Sequence, residues 1–254
     1  MCGFAGFVGK VEDRETVLVN MMDTIIHRGP DSAGKYVDED AALGFRRLSI
    51  IDLSSVGDQP FIMKIKAWSL VFNGEIYNYQ ELRKELIEAG HVFVSNTDSE
   101  TLIHGYEQWG EKLVDRLRGM YAFVIWDTKK KRLFGARDIF WNQAFLLCAD
   151  ESDLFCFASE IKAFMEHPKF DKIFNEDALG NYLSFQFVPT NETFFKGVFC
   201  LQPVITLFMK MGKWKYRGIL NRILQENMKK HSMKLRLKWK KVMKESVEKH
   251  KISD

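Results

Sequence analysis

The sequence is poor in cysteine and proline, and it contains no long apolar segment. Its 254 residues include four cysteines and five prolines. The cysteines have no CxxC spacing, which argues against a disulfide framework or a cysteine-based zinc site and favours a reducing compartment. No apolar segment reaches the ~18–20 residues of a membrane span, and no basic-then-apolar leader opens the chain. We therefore expect a cytoplasmic protein with no membrane contact and no metal.

Acidic residues are almost missing from one part of the chain. Residues 204–241 contain 12 lysines or arginines and a single acid, Glu226, although the whole chain has a net charge of only +3. A basic segment of this kind is typical of nucleic-acid binding. However, the segment carries no recognised nucleic-acid motif, and a second explanation, given below, leads us to expect no nucleic-acid partner.

Short apolar segments alternate with segments of helical spacing. Gly3–Val8 predicts a buried strand and Arg14–Ile26 a helix. Ala67–Phe72 predicts a strand that ends in a hairpin turn at Asn73-Gly74. Further strands are predicted over 41–45, 48–51, 121–127, 132–136 and 155–158, and further helices over 78–89, 99–109, 112–117, 159–164 and 176–185. This mixture predicts an α+β fold in which helices cover sheets.

The second residue, Cys2, is the main candidate for chemistry. Removal of Met1 would put a thiol and an α-amine on one residue. The thiolate is the reactive nucleophile of cysteine. An α-amine with a pKa near ~7.7–8 can act as a base close to neutral pH. One residue can therefore supply both groups.

Other segments supply groups that complement such a nucleophile. Arg47 follows a predicted strand, and arginine binds carboxylates bidentately. Asn73 and Gly74 place a side-chain amide next to a backbone N–H, the two kinds of donor that form an oxyanion hole. Asp98 is either the N-cap of the next helix or, with Glu75, a binding group for a substrate ammonium.

Several motifs occur in a characteristic order after Cys2. In this order the sequence resembles the glutaminase domain of class II glutamine amidotransferases, which are N-terminal-nucleophile hydrolases, and within them the glutamine-hydrolysing asparagine synthases. The resemblance covers residues 2–203 and implies a four-layer αββα sandwich. The motifs that carry it are HRGPDS at 27–32, RRLSIID at 46–52, FNGEIYN at 72–78, RGMYAF at 118–123 and ASEIKA at 158–163.

The resemblance implies a role for each candidate residue. Cys2 would attack the side-chain amide of glutamine, and Asn73 and Gly74 would stabilise the oxyanion. Arg47 would bind the α-carboxylate, with Glu75 and Asp98 on the side of the α-ammonium. Backbone groups of the following segment would line the pocket: Leu48, Ser49, Ile50 and Ile51. The glutaminase domain would need no cofactor, and ATP and magnesium are implied only for a synthetase half, whose ATP-binding loop does not occur in this sequence.

The resemblance breaks at two places. Where the family continues as Gly-Ile-Lys-Pro-Phe-Tyr-Tyr-Ala, this chain has Trp141–Cys148. A one-base frame slip, corrected shortly afterwards, accounts for that segment and, with assumed codons, also for the basic segment after Pro203. We therefore expect Trp141 to be strained and overpacked. We expect residues 204–254 to form an aberrant tail that is disordered or loosely helical beyond about residue 204.

Three alternatives to an asparagine synthase glutaminase remain open. The chain could be the glutaminase domain of another class II amidotransferase, or an inactive frame-shifted fragment. The third alternative is a non-enzymatic nucleic-acid-binding protein. Besides glutamine, the resemblance implies a second copy of the chain or a separately encoded synthetase half as partners.

Overall fold

The fold is a pair of antiparallel sheets with helices on their outer faces. The computed structural model describes residues 1–49, 57–63, 67–149, 155–202, 205–210, 213–218 and 232–251, and of 205–210, 213–218 and 232–238 it describes the backbone alone. The first sheet consists of β1 (Gly3–Val8), β2 (Ser32–Val37), β3 (Ala41–Arg47), β8 (Leu146–Ala149), β9 (Phe155–Ala158) and β10 (Val198–Cys200), in the order β10-β8-β9-β1-β3-β2.

The second sheet also has six strands. It consists of β4 (Phe61–Met63), β5 (Trp68–Ile76), β6 (Gly119–Asp127), β7 (Arg132–Arg137), β11 (Ile205–Lys210) and β12 (Lys213–Gly218), in the order β12-β11-β7-β6-β5-β4. Within the described residues, five α-helices accompany the sheets: α1 (Arg14–Asp23), α2 (Tyr79–Glu88), α3 (Asp98–Trp109), α4 (Glu176–Phe185) and α5 (Ser232–His250). Short 3-10 helices cover Ile26–Arg28, Gly110–Asp115 and Ile161–Glu166.

Three buried clusters hold the layers together. Phe4 and Phe45 of the first sheet pack with Val71 and Val124 of the second, so one cluster lies between the sheets. A second cluster packs α2 and α3 against the outer face of the second sheet. A third packs α1 and the 3-10 helix Ile161–Glu166 against the outer face of the first sheet. The layers therefore follow the order helix, sheet, sheet, helix, which confirms the predicted four-layer αββα sandwich.

The alternation of strand side chains explains the apolar character of β1. Phe4 belongs to the cluster between the sheets, whereas Ala5 and Phe7 belong to the cluster under α1. Successive strand residues face opposite sides of a sheet. Because both sides of this sheet are covered near β1, both sets must be apolar, and Gly3–Val8 carries no polar side chain.

The predicted hairpin turn at Asn73-Gly74 is wrong. Strand β5 continues through both residues to Ile76, and Asn73 and Gly74 lie opposite Ala122 and Tyr121 of β6. An Asn-Gly pair favours a turn by its local conformational freedom. Here the long pairing with β6 determines the backbone conformation instead. Gly74 adopts a φ of 138° within the strand, a value that glycine tolerates.

The expectation of a disordered or loosely helical chain beyond residue 204 is wrong at Ile205–Lys210 and Lys213–Gly218, where β11 pairs with β7 and with β12. Ser232–His250 forms the helix α5, in agreement with the helical alternative. An unpaired strand edge binds another extended segment through main-chain groups, and the sequence of β11 is rich in β-forming residues. Because strand pairing depends on main-chain groups, β11 can pair with β7 although the segment that contains it is basic. The division of the chain at residue 203 stays a prediction.

Candidate active site

The thiol of Cys2 lies at the start of β1, against the end of β3. The backbone N–H of Leu48 donates to the Cys2 Sγ at 3.3 Å, and the Sγ donates to the Leu48 carbonyl at 3.4 Å. Strands β1 and β3 pair from Gly3–Arg46 onwards; continued by one residue, this register places Arg47 opposite Cys2 and Leu48 directly after it. The first residue after β3 thus fixes the position of the thiol.

Hydrogen bonds from side chains of two family motifs hold the main chain around Cys2. The Arg28 Nε donates to the Cys2 carbonyl at 2.9 Å, and a terminal nitrogen of Arg28 bonds Glu160 Oε1 at 3.1 Å. The hydroxyl of Ser159 accepts from the Phe4 N–H at 3.1 Å. Gly29 allows the Arg28 segment to approach, because a Cβ there would stand 2.2 Å from the Arg46 carbonyl carbon. The HRGPDS and ASEIKA motifs therefore hold the main chain of the candidate nucleophile.

The surroundings of Cys2 favour a neutral thiol at rest. Burial raises the pKa of the Cys2 thiol above its ordinary value of 9.0. The Leu48 N–H, the chain amino terminus and the charge of Arg47 act in the opposite direction without reversing the rise. A thiol of this kind needs a nearby base before it can attack a substrate.

Arg47 is buried and its guanidinium faces the same space as Cys2. One terminal nitrogen donates to Asp58 Oδ1 at 2.7 Å, and the Ser32 hydroxyl donates to the same oxygen at 2.9 Å. Gly57 lies beside the other terminal nitrogen, where a Cβ would stand 2.7 Å away. These contacts fix the plane of the guanidinium, which is the condition for bidentate binding of a carboxylate.

Asn73 and Gly74 reach the site from the second sheet. The Asn73 side chain is buried, and its Nδ2 donates to Gln143 Oε1 at 2.6 Å. An amide nitrogen has two hydrogens, so one donor remains for another acceptor. At Gly74 a Cβ would stand 2.0 Å from the Met120 carbonyl oxygen. The close approach of β5 and β6 and the positive φ both exclude a side chain at this position.

Asp98 is buried at the first position of α3. The N-cap of α3 is Thr97, whose side chain accepts from the Glu100 N–H, so the interpretation of Asp98 as the N-cap is wrong. The Asp98 carboxylate instead accepts from the Ile76 N–H at 3.1 Å. Burial raises the pKa of Asp98 to about 7, and the negative charge of Glu75 acts in the same direction. A nearby ammonium would favour the charged form.

The structure brings most of the predicted residues into one cavity of about 230 Å³, formed between the two sheets. The predicted residues that line it are Cys2, Arg47, Leu48, Asn73, Gly74, Glu75 and Asp98. The N–H of Ser49 donates to Asp31 at 2.8 Å. Ser49 and Leu48 follow the end of β3, whereas a strand was predicted over 48–51. Ile50 and Ile51 lie outside the described residues. The binding roles of Ser49, Ile50 and Ile51 stay predictions.

The loop after β7 adds a residue that the sequence did not single out. The buried Asp138 carboxylate accepts from the N–H groups of Phe140, Asn142 and Gln143, at 2.9, 3.2 and 3.2 Å. This turn carries the Gln143 side chain to Asn73. Gln143 belongs to the segment that departs from the family motif, so no motif pointed to it. Asp138, an acid between a strand and a polar turn, was the available clue.

For Trp141 the structure confirms the predicted backbone strain and contradicts the predicted overpacking of the ring. Its φ is 62°, the left-handed region that favours glycine. Its side chain, however, is 41% exposed and lies 5.5 Å from the Arg137 guanidinium, so the ring does not overpack the interior. The strain at this position is in the backbone.

Comparison with known proteins agrees with this arrangement. A family model described as a glutamine amidotransferase domain matches residues 1–218. The chain belongs to this family. It is 42% identical over 198 residues to asparagine synthetase [glutamine-hydrolyzing] 1 of Bacillus subtilis, an alignment that covers 76% of this chain and 31% of the relative. It is 35% identical over 229 residues to asparagine synthetase [glutamine-hydrolyzing] 3 of the same organism, covering 86% and 37%. The chain thus spans about a third of the length of these relatives.

The solved structures that resemble the amidotransferase chain share its fold. Glutamine phosphoribosylpyrophosphate amidotransferase from Bacillus subtilis, complexed with ADP and GMP, has a TM-score of 0.61 at 20% identity and covers 85% of this chain and 49% of that one. A structure described as the allosteric regulatory enzyme of purine biosynthesis has a TM-score of 0.65 at 18% identity, with the same coverage. At these identities the likeness concerns the fold alone. Within the described residues, no helix has the length and apolar character to cross a bilayer.

Proposed function

We propose that this amidotransferase domain hydrolyses the side-chain amide of glutamine to glutamate and ammonia, with Cys2 as nucleophile. The observation that carries the proposal is the meeting of four kinds of group in one cavity: a thiol, a guanidinium, an amide beside a glycine, and a pair of carboxylates. A thiol and oxyanion donors suit acyl transfer, whereas a guanidinium and carboxylates suit the two charges of an amino acid.

The nucleophile acts after removal of Met1. The α-amine of Cys2 accepts the thiol proton, directly or through a water, and the sulfur bonds to the amide carbon of glutamine. Collapse of the tetrahedral intermediate breaks the C–N bond, and the leaving nitrogen takes the proton from the Cys2 α-ammonium and departs as ammonia. Water then attacks the γ-glutamyl thioester and releases glutamate and the thiol. Burial of the thiol raises its pKa, which makes the base necessary.

The oxyanion forms on the side of β5. Asn73 has one Nδ2 hydrogen engaged by Gln143, and its second hydrogen and the Gly74 N–H are the proposed donors. Donors that are already fixed stabilise a developing charge without reorganisation. The bond to Gln143 supports this function because it fixes the plane of the Asn73 amide.

The backbone charges of glutamine select the substrate. Arg47, held by Asp58 at 2.7 Å, binds the α-carboxylate. Asp98 and Glu75 bind the α-ammonium, and the ammonium lowers the pKa of Asp98 from about 7 so that the ionised form is populated. Removal of Arg47 is therefore expected to raise KM, whereas removal of Asn73 lowers kcat.

The ammonia is proposed to serve asparagine formation in a synthetase half, since the relatives at 42% and 35% identity are named asparagine synthetases. ATP and magnesium belong to that half. We expect residues 1–254 alone to bind no ATP and to form no asparagine from aspartate and ammonia. We propose a second copy of the chain and a separately encoded synthetase half as partners. We also propose that the protein is cytoplasmic.

The test is ammonia release from glutamine by the purified chain. Cys2→Ala is expected to abolish it, and an N-terminal extension that prevents removal of Met1 is expected to do the same. Cys200→Ala is the matched control, because Cys200 is also a half-buried free cysteine but lies in β10, and it should retain the activity. Absence of ammonia release from the unmodified chain, or undiminished release from Cys2→Ala, would refute the proposal.

A further inference from the structure

A second cluster of potential metal ligands lies in the second half of α3, which begins at Asp98. His104 and Glu107 are three residues apart on α3, so they share a face of the helix. His91 follows α2 and meets them from the other side. We propose that His91, His104 and Glu107 form a zinc-binding site. This site contains no cysteine, so the cysteine spacing that argued against a metal gave no indication of it.

The three ligand atoms have the separations of a tetrahedral zinc site. His91 Nδ1 and His104 Nδ1 are 3.0 Å apart, and Glu107 Oε2 lies 3.3 and 3.7 Å from them. A tetrahedral zinc ion with bonds of ~2.0–2.1 Å holds its ligands about 3.3 Å apart. An ion placed just off the plane of these three atoms would be about 2 Å from each of them.

The outward-facing ring nitrogens leave the Nδ1 atoms as ligands. His91 Nε2 lies 3.0 Å from Gln108 Oε1, an acceptor, so the proton of a neutral His91 belongs on Nε2. His104 Nε2 lies 3.7 Å from Glu100 Oε1, which is an ion-pair distance and longer than a hydrogen bond. Histidine ligands of metals are normally oriented by an acceptor at their second nitrogen. In the tautomer with the proton on Nε2 of both rings, the two Nδ1 atoms, 3.0 Å apart, can bind one cation between them.

The surroundings fix the ligands and leave one side open. The exposed fractions of the side chains are 9% for His91, 5% for His104 and 19% for Glu107. Glu100 is itself held by the N–H groups of Val94 and Ser95, at 2.7 and 2.6 Å. A cavity of about 740 Å³ adjoins the cluster, so a water can complete the coordination. Three protein ligands with one open position are a common zinc arrangement.

The competing interpretation is a metal-free hydrogen-bonded network, in which one imidazole donates from Nδ1 to the other. The two interpretations differ in their response to zinc. A metal site binds about one Zn²⁺ per chain and loses it when a ligand is removed, whereas a hydrogen-bonded network shows no stoichiometric binding.

The experiment measures zinc retained after dialysis against Zn²⁺ followed by metal-free buffer. It uses the full chain with Cys2→Ala, which removes the accessible thiol as a competing ligand. We expect about one zinc per chain, and at least a tenfold loss of affinity in both His91→Ala and Glu107→Gln. His250→Ala, a histidine exposed on α5, is the control and should bind as the parent does. Circular dichroism checks the fold of each variant, and Glu107→Gln provides the test should His91→Ala fail to fold.

Two further readouts separate this site from adventitious binding. Gln108→Ala should weaken zinc about 10- to 100-fold, the usual cost of losing an orienting partner. Co²⁺ in place of zinc should give tetrahedral d–d bands without a thiolate charge-transfer band. The proposal is overturned if the parent retains no zinc, if zinc binding is unchanged in His91→Ala and Glu107→Gln, or if the Co²⁺ spectrum contains the thiolate band.

Discussion

Two regions converge on the cavity around Cys2, and they are fixed in different ways. The region around β1 is held by side chains of the family motifs, with Arg28 on the Cys2 carbonyl and Ser159 on the Phe4 N–H. The loop after β7 is held through its backbone: the buried Asp138 carboxylate accepts from N–H groups, and Arg137 donates to the Trp141 carbonyl at 3.0 Å. Backbone donors are the same for every residue except proline. A loop held in this way can tolerate a change of its side chains, and in this chain it presents Gln143 to Asn73.

The largest expected effect comes from Asn73, which the loop after β7 holds in the cavity that Cys2 also lines. Asn73→Ala is expected to lower kcat for glutamine hydrolysis by ~100- to 1000-fold, the usual loss for one oxyanion donor. Arg47→Ala should instead act mainly on KM. Steady-state ammonia release measures both parameters. If Asn73→Ala changed KM alone, the proposed role of Asn73 would be wrong.

The next effect concerns the carboxylate that holds the loop. Asp138→Ala leaves the N–H groups of Phe140 and Gln143 without their acceptor, and we expect the free energy of unfolding to fall by about 3 kcal/mol. Chemical denaturation measures it. Asp171→Ala, at an exposed position, is the control. Equal stability of the two variants would mean that backbone bonds to Asp138 do not hold the loop.

Asp98 gives an effect that depends on pH. Its folded-state pKa of about 7 lies above the ordinary 3.8. Because the folded chain keeps this proton after the unfolded chain has lost it, the free energy of unfolding falls as the pH rises through this window. Asp98→Asn cannot ionise and should be more stable than the parent by ~2 kcal/mol at about pH 8, with little difference near pH 4.

The same substitution should weaken glutamine binding, since the carboxylate is the proposed partner of the α-ammonium. Thermal unfolding at the two pH values and KM at about pH 8 check both parts. A stability difference that is the same at both pH values would show that ionisation of Asp98 is not its cause.

The smallest effect tests the backbone strain at Trp141. Glycine at a φ of 62° removes a conformational cost of ~1 kcal/mol. Trp141→Gly should therefore raise the melting temperature by roughly 2–4 °C, and restoring Gly-Ile-Lys-Pro-Phe-Tyr-Tyr-Ala at 141–148 should raise it by several degrees. Differential scanning calorimetry measures both. A restored chain that melts no higher would show that the departure from the motif has no structural consequence.

The elements that local patterns determine were predictable from the sequence. The predicted strand at Gly3–Val8 and helix at Glu176–Phe185 have the bounds that the structure gives them. The errors arise where contacts between residues that are distant in sequence determine the secondary structure. Pairing with β6 extends β5 through Asn73-Gly74, and pairing with β7 forms β11 inside a basic segment.

The candidate site divides in the same way. Arg47 and Asn73 lie in motifs that resemble those of a family. Cys2 was identified by its position and Asp98 by its place at a predicted helix start, and the fold brings all four into one cavity. Gln143 lies in the segment without a motif, and only the turn around Asp138 brings it to Asn73. The His91, His104 and Glu107 cluster uses residues of two elements, whose approach depends on how α3 packs against the segment after α2.

The most direct test of the account is to identify the residue that reacts with a glutamine analogue. A glutamine analogue with a diazoketone in place of the side-chain amide would be incubated with the purified chain and followed by intact-protein and peptide mass spectrometry. The account predicts one adduct per chain, on Cys2, in molecules that lack Met1, and competition by glutamine. An adduct on Cys148, Cys156 or Cys200, or no adduct on chains that have lost Met1, would contradict it.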